Sequence, residues 1–111
     1  MYEQGEIVIV PFPFSDQTGK KLRPVIVISN NEFNKYSEDI LVVGVTLNIF
    51  KDRYTVFLEN KDIEEGKLLA ECCVKCENIL KIDKEIVIKK IGKIKKETFD
   101  LVRNIILEII K

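Results

Sequence analysis

The sequence predicts a mostly β fold closed by one helix, and three observations carry that prediction. Short β-branched runs such as Ile7 to Val10 and Val25 to Ile28 are separated by polar, turn-forming stretches. In residues 68–77 the even positions Leu68, Ala70, Cys72, Val74 and Cys76 are all apolar, while Glu71, Lys75 and Glu77 alternate with them. One buried strand face has this period of two. From Lys96 onward the period changes, with Phe99, Val102, Ile105, Ile106 and Ile109 recurring at helical spacing between Asp100, Arg103, Asn104 and Glu108.

Taken in order, strands are expected at 6–12, 23–29, 40–47, 54–58, 68–77 and 87–94. The gap from Ser15 to Lys21 carries Asp16, Thr18, Gly19, Lys20 and Lys21 and reads as a polar loop between two buried strands. Pro24 lacks a backbone donor and restrains Arg23 to extended geometry, so the pair belongs at a strand start. Residues 30–39 read as a polar connection with room for a helical turn, and 60–66 as an acidic turn. The final helix should lay its isoleucine face on the sheet. No Ser, Thr, Asp or Asn precedes it as an obvious cap.

A chain of 111 residues with 46% hydrophobic content fits a single domain over residues 1–111 that needs no disulfide or structural metal. Eighteen basic residues balance 18 acidic ones, so any nucleic-acid site must rest on local charge such as Lys20, Lys21 and Arg23. No charged leader followed by an apolar core opens the chain, and no apolar run approaches membrane-spanning length. The expected compartment is the cytoplasm, with no membrane partner. Histidine is absent, which removes the commonest general base and metal ligand.

The three cysteines form CCxxC. On an extended strand Cys72 and Cys76 stand about 13 Å apart, too far for a disulfide. A zinc site lacks a fourth ligand. Buried thiols are therefore expected for Cys72 and Cys76, with Cys73 on the polar face, partly exposed or covered by a partner chain.

The segments GEIVIVPFPFSD, GKKLRPVIVISN and VVGVT, followed by CENILKIDK and IGKIKKETFDLVRNIILEII, resemble the MazF/PemK family of toxins from type II toxin–antitoxin pairs. The resemblance runs almost end to end. It implies a small SH3-like barrel with a C-terminal α-helix (the CcdB/MazF-like fold), usually a homodimer. The implied activity is a metal-independent, sequence-specific endoribonuclease, an mRNA interferase acting on single-stranded RNA without any cofactor. The implied partners are a cognate antitoxin and, through it, operator DNA. Two other readings share the fold: a CcdB-like protein that poisons DNA gyrase through its closing helix, and a member that binds nucleic acid without cutting it.

RNA is cut without metal when its 2′-hydroxyl attacks the adjacent phosphorus, leaving a 2′,3′-cyclic phosphate and a 5′-hydroxyl. Arg23, permanently charged and rich in donors, suits the extra charge of that transition state, yet is a poor proton acceptor. Its alternative is a surface ion pair with Asp16 or a glutamate. Thr46, which the resemblance sets at the family's active-site threonine, could give a hydroxyl to a phosphate oxygen or simply satisfy itself within a strand. Ser15, Asp16, Thr18, Lys20 and Lys21 are expected on a loop over the RNA. Asn48 and Asn78 can read bases through their amides or serve as turn residues, Asn78 standing where the family often has Glu-Gln. Phe14 could stack on bases, and Phe12 is expected to pack. Leu80 occupies a position where many relatives carry arginine.

Overall fold

The computed structural model describes residues 1–12, 21–49, 52–68 and 70–111. Its strands are β1 (Glu6–Phe12), β2 (Lys21–Val27), β3 (Asp39–Thr46), β4 (Thr55–Leu58), β5 (Ile63–Gly66), β6 (Cys72–Asp83) and β7 (Lys89–Ile94). A short helix α1 (Asn31–Tyr36) follows β2, and α2 (Lys96–Ile110) closes the chain. The mostly β fold with a closing helix is thus the one observed.

Among the described residues, the seven strands form one antiparallel sheet in the order β4-β6-β3-β2-β1-β7-β5. The edge strands β4 and β5 are joined by the short turn Asn60–Asp62 and its flanks. That connection, Leu58 to Ile63, can span at most about 18 Å. Six flat inter-strand spacings would need about 29 Å. The sheet must therefore curl, and it becomes a half-barrel whose two edges approach each other.

Curling gives the sheet two apolar faces. One holds Ile7, Ile26, Val43, Leu58, Cys72, Val74, Cys76 and Ile94, closed by Phe99 and Val102 of α2 with Ile105, Ile106 and Ile109 partly buried beside them. The isoleucine face of the helix thus packs as its spacing predicts. Lys95 stands at the α2 N-cap with no side-chain capping bond. The opposite face gathers Val8, Val10, Val25, Val27, Ile40 and Val42, with Leu80 and Ile82 packed against them.

Several elements depart from the sequence expectation. The acidic turn at 60–66 contains β5, a four-residue edge strand whose IEEG sequence has no apolar alternation to reveal it. Gly66 has φ of 81°, and a Cβ there would lie 2.2 Å from the Ile91 carbonyl oxygen, so only glycine lets β5 approach β7 so closely. The strand expected at 68–77 runs from Cys72 to Asp83. Leu68 and Ala70 keep their period because they line an apolar cavity with Cys72, ahead of the ladder itself. The 30–39 connection folds its turn as α1, capped by the Asn30 Oδ1, which accepts the Phe33 N–H at 2.8 Å.

Cys73 is also corrected. It is buried within this chain, at 1% exposure, and neither exposed nor in need of a partner to cover it. β6 lies between β3 and β4, so Thr46 and Phe57 stand directly opposite Cys73 and share its face.

Candidate active cleft

The ladder itself brings the predicted residues together. The β2–β3 ladder ends at the pair Val25–Gly44, and Arg23 and Thr46 lie two residues beyond it on their strands, lining one cleft. Both then project from the sheet face that carries Val25, Val27 and Val42. On the other side of β3, Thr46 faces Cys73 and Gly44 faces Lys75. Lys75 therefore shares the face of Arg23 and Thr46.

A bulge completes the arrangement. Val43 pairs with Ile79 while Gly44 pairs with Lys75, so Cys76, Glu77 and Asn78 are extra residues on β6. The Cys76 N–H bonds outward to the Tyr54 carbonyl at 3.1 Å, and the Asn78 side chain folds back over Gly44. A Cβ at position 44 would stand 2.5 Å from Asn78 Nδ2. The glycine of VVGVT thus vacates the space that the amide fills.

The outcome is a polar cleft of about 230 Å³ lined by Arg23, Gly44, Thr46, Asn48, Lys75 and Asn78, with Pro24, Val25 and Val45 as its apolar walls. Arg23, Thr46, Lys75 and Asn78 are half-buried, and Asn48 is exposed. Thr46 Oγ1 accepts the Asn48 N–H at 3.1 Å, which orients the hydroxyl while leaving it a proton to donate. Lys75 lies 3.8 Å from the Glu77 carboxylate, across a solvent-accessible gap. Two cations and no carboxylate belong to the described lining.

Cys72 and Cys76 face away from this chemistry, into the cluster closed by α2. Burial pushes the Cys72 thiol up to about 11, aided by neighbouring Cys73, and the Cys76 thiol up to about 12, aided by the Glu77 charge. Such groups are poor nucleophiles at neutral pH.

Four of the sequence-selected residues, Arg23, Thr46, Asn48 and Asn78, therefore converge on one cleft. Lys21 lies at the start of β2, two residues before Arg23 and outside the lining. Ser15, Asp16, Thr18, Lys20 and Phe14, and the side chain of Phe12, lie outside the described residues. Gly44 and Lys75 were not selected from sequence. The signal for Lys75 was its place on the polar side of an alternating strand, but nothing local says that this side meets Arg23.

Fold and cleft together define a small antiparallel half-barrel that holds paired cations and amides on one sheet face, an arrangement suited to an anionic ligand. Residues 3–110 match the family model of PemK-like, MazF-like toxins of type II toxin–antitoxin systems, and the chain belongs to that family. No curated protein matches it in sequence. Among solved structures it is similar to a MazE–MazF structure from Deinococcus radiodurans, with 16% identity, TM-score 0.80, and 98% of this chain and 95% of that one covered. An endoribonuclease in complex with its cognate antitoxin, from a mycobacterial species, gives 14% identity and TM-score 0.78 over 99% and 95% of the two chains. The Mycobacterium tuberculosis toxin MazF-mt6 gives 18% identity and TM-score 0.76 over 95% of each. At these identities the likeness establishes the shared fold. Among the described residues no helix is long and apolar enough to cross a membrane.

Proposed function

We propose that this toxin is a metal-independent endoribonuclease that cuts single-stranded messenger RNA at the cleft between β2, β3 and β6. The observation that carries the reading is the convergence of Arg23 and Thr46 beside Lys75 and Asn78 in a lining whose described residues include no carboxylate. An RNA 2′-oxygen attacks the adjacent phosphorus, the bond to the 5′-oxygen breaks, and the proton lost by the 2′-hydroxyl is balanced by one gained at the leaving oxygen. The products are a 2′,3′-cyclic phosphate and a 5′-hydroxyl. Arg23 stabilises the charge that accumulates on the non-bridging oxygens, and the Thr46 hydroxyl donates to one of them. Donors aimed in advance at developing charge typically lower such a barrier by a few kcal/mol. Asn48 and Asn78 offer amides to the bases on either side.

The same reading extends to partners. A solved endoribonuclease of this fold is complexed with its cognate antitoxin, and an antitoxin is accordingly proposed for this chain. Its acidic segment would cover the cleft, replacing RNA phosphate against Arg23 and Lys75. A homodimer as the working unit, operator DNA contacted through the antitoxin, and action in the cytoplasm, where messenger RNA is met, complete the proposal.

The test is incubation of wild-type and Arg23→Ala protein with several long single-stranded RNAs in EDTA. Cutting by wild type alone, at a recurrent sequence, is the expected result. Intact RNA with folded wild-type protein would sink the ribonuclease reading, and equal cutting by both proteins would move the site elsewhere.

A further inference from the structure

We propose that Lys75 is a second phosphate-binding residue of the cleft, holding the RNA phosphate next to the one that reacts at Arg23. The inference rests on the ribonuclease reading for its ligand, and on the strand ladder for its geometry. Lys75 lies opposite Gly44, on the face that carries Arg23 and Thr46, and both cations line the same cleft. Arg23 and Lys75 stand on β2 and β6, with β3 between them and two residues of stagger along the strands, so their backbones are about 12 Å apart. That span exceeds a single phosphate group. A polynucleotide crossing the sheet from β2 to β6 meets the two charges in succession.

The missing side chain at Gly44 is what makes the crossing possible. Any larger residue would fill the floor between Lys75 and Asn78, since a Cβ there already collides with the Asn78 amide. The Glu77 carboxylate does not lock Lys75 away. Their 3.8 Å pair has side chains 38% and 45% exposed, the kind of contact that a phosphate displaces at little cost.

The bulge also explains why the charge sits at residue 75. Before it, the odd residues Cys73 and Lys75 share the cleft face; after it, the even residues Leu80 and Ile82 do, packed into the apolar cluster. Position 80, on the same face as Lys75, is apolar and packs into that cluster.

The test uses full-length protein and a single-stranded 2′-fluoro oligonucleotide, which keeps its phosphates and lacks the attacking hydroxyl. Affinity is measured against salt for wild type, Lys75→Gln, Lys75→Arg and Lys81→Gln, the last removing a charge from β6 outside the cleft. We expect Lys75→Gln to weaken binding about tenfold and to reduce the log–log salt slope by about 0.7. Lys75→Arg should restore both, and Lys81→Gln should leave both near wild type. In cleavage assays Lys75→Gln should raise KM more than it lowers kcat, the opposite of Arg23→Ala. Wild-type affinity and slope in Lys75→Gln would overturn the inference, as would equal losses in Lys75→Gln and Lys75→Arg. If wild type binds the oligonucleotide but cuts no RNA, the ribonuclease reading fails while the Lys75 inference is still decided by the binding series. If wild type does not bind at all, both fail.

Discussion

The first half of β6 presents two faces with opposite tasks. Cys72, Val74 and Cys76 point into the cluster closed by α2, where all three are almost fully buried. Cys73 and Lys75 alternate with them and point to the cleft side, where Lys75 remains half-exposed beside a glycine, a threonine and an amide. A strand reverses its side chains at every residue, so adjacent positions belong to the core and to the cleft with no separate scaffold between them. The comparison teaches that substitutions one residue apart should separate cleanly into those that unfold the protein and those that silence it.

The largest expected effect lies on the cleft side. Arg23→Ala should reduce cleavage about 10²- to 10³-fold, the range for losing one donor aimed at developing charge, with the melting temperature nearly unchanged. Single-turnover cleavage and thermal unfolding of the same preparation check both halves. On the inner face, Val74→Ala should cost about 2 kcal/mol of stability by removing buried methyl groups and leaving a cavity, while activity per folded molecule persists. Urea titration followed by an activity assay below the transition distinguishes it from a cleft variant.

Gly44→Ala sharpens the comparison at the boundary. The new methyl displaces the Asn78 amide, a movable side-chain end, so stability should fall by only about 1 kcal/mol while RNA recognition is lost. Binding of the uncleavable oligonucleotide measures the second effect. The smallest effect near neutral pH comes from the inner thiols. Cys72 and Cys76 have folded-state values of about 11 and about 12 against an ordinary 9.0, so the folded protein retains protons that the unfolded chain releases. Their contribution is fully present below pH 9 and is lost as pH rises through the folded values. Urea midpoints at pH 8 and pH 10 should show a decline that Cys76→Ala makes shallower.

Much of the fold is legible in the sequence. β-branched runs mark β1, β2 and β3, and the shift from period two to helical spacing marks α2, because burial on one face imposes those periods. Edge strand β5 escaped, since four exposed residues need no apolar pattern. Arg23 was legible from its proline, and Thr46 from the motif around it. The place of Lys75 in the cleft was not, because it depends on β6 lying next to β3 and on a bulge that keeps it opposite Gly44. Strand order and bulges are tertiary facts, set by how distant segments pair. Cys73 was misjudged for the same reason: alternation gave its face correctly, but the cover supplied by neighbouring strands is invisible in a single strand's sequence.

The most direct measurement is the chemical identity of the ends made from a deoxy oligonucleotide carrying ribonucleotides at the preferred cutting sequence, digested in EDTA and weighed by mass spectrometry. Attack by the 2′-hydroxyl in the Arg23–Thr46 cleft predicts a 2′,3′-cyclic phosphate on one fragment and a 5′-hydroxyl on the other, with no product when the scissile ribose is also made deoxy. A 5′-phosphate and a 3′-hydroxyl, or cutting that survives loss of that 2′-hydroxyl, would contradict the account.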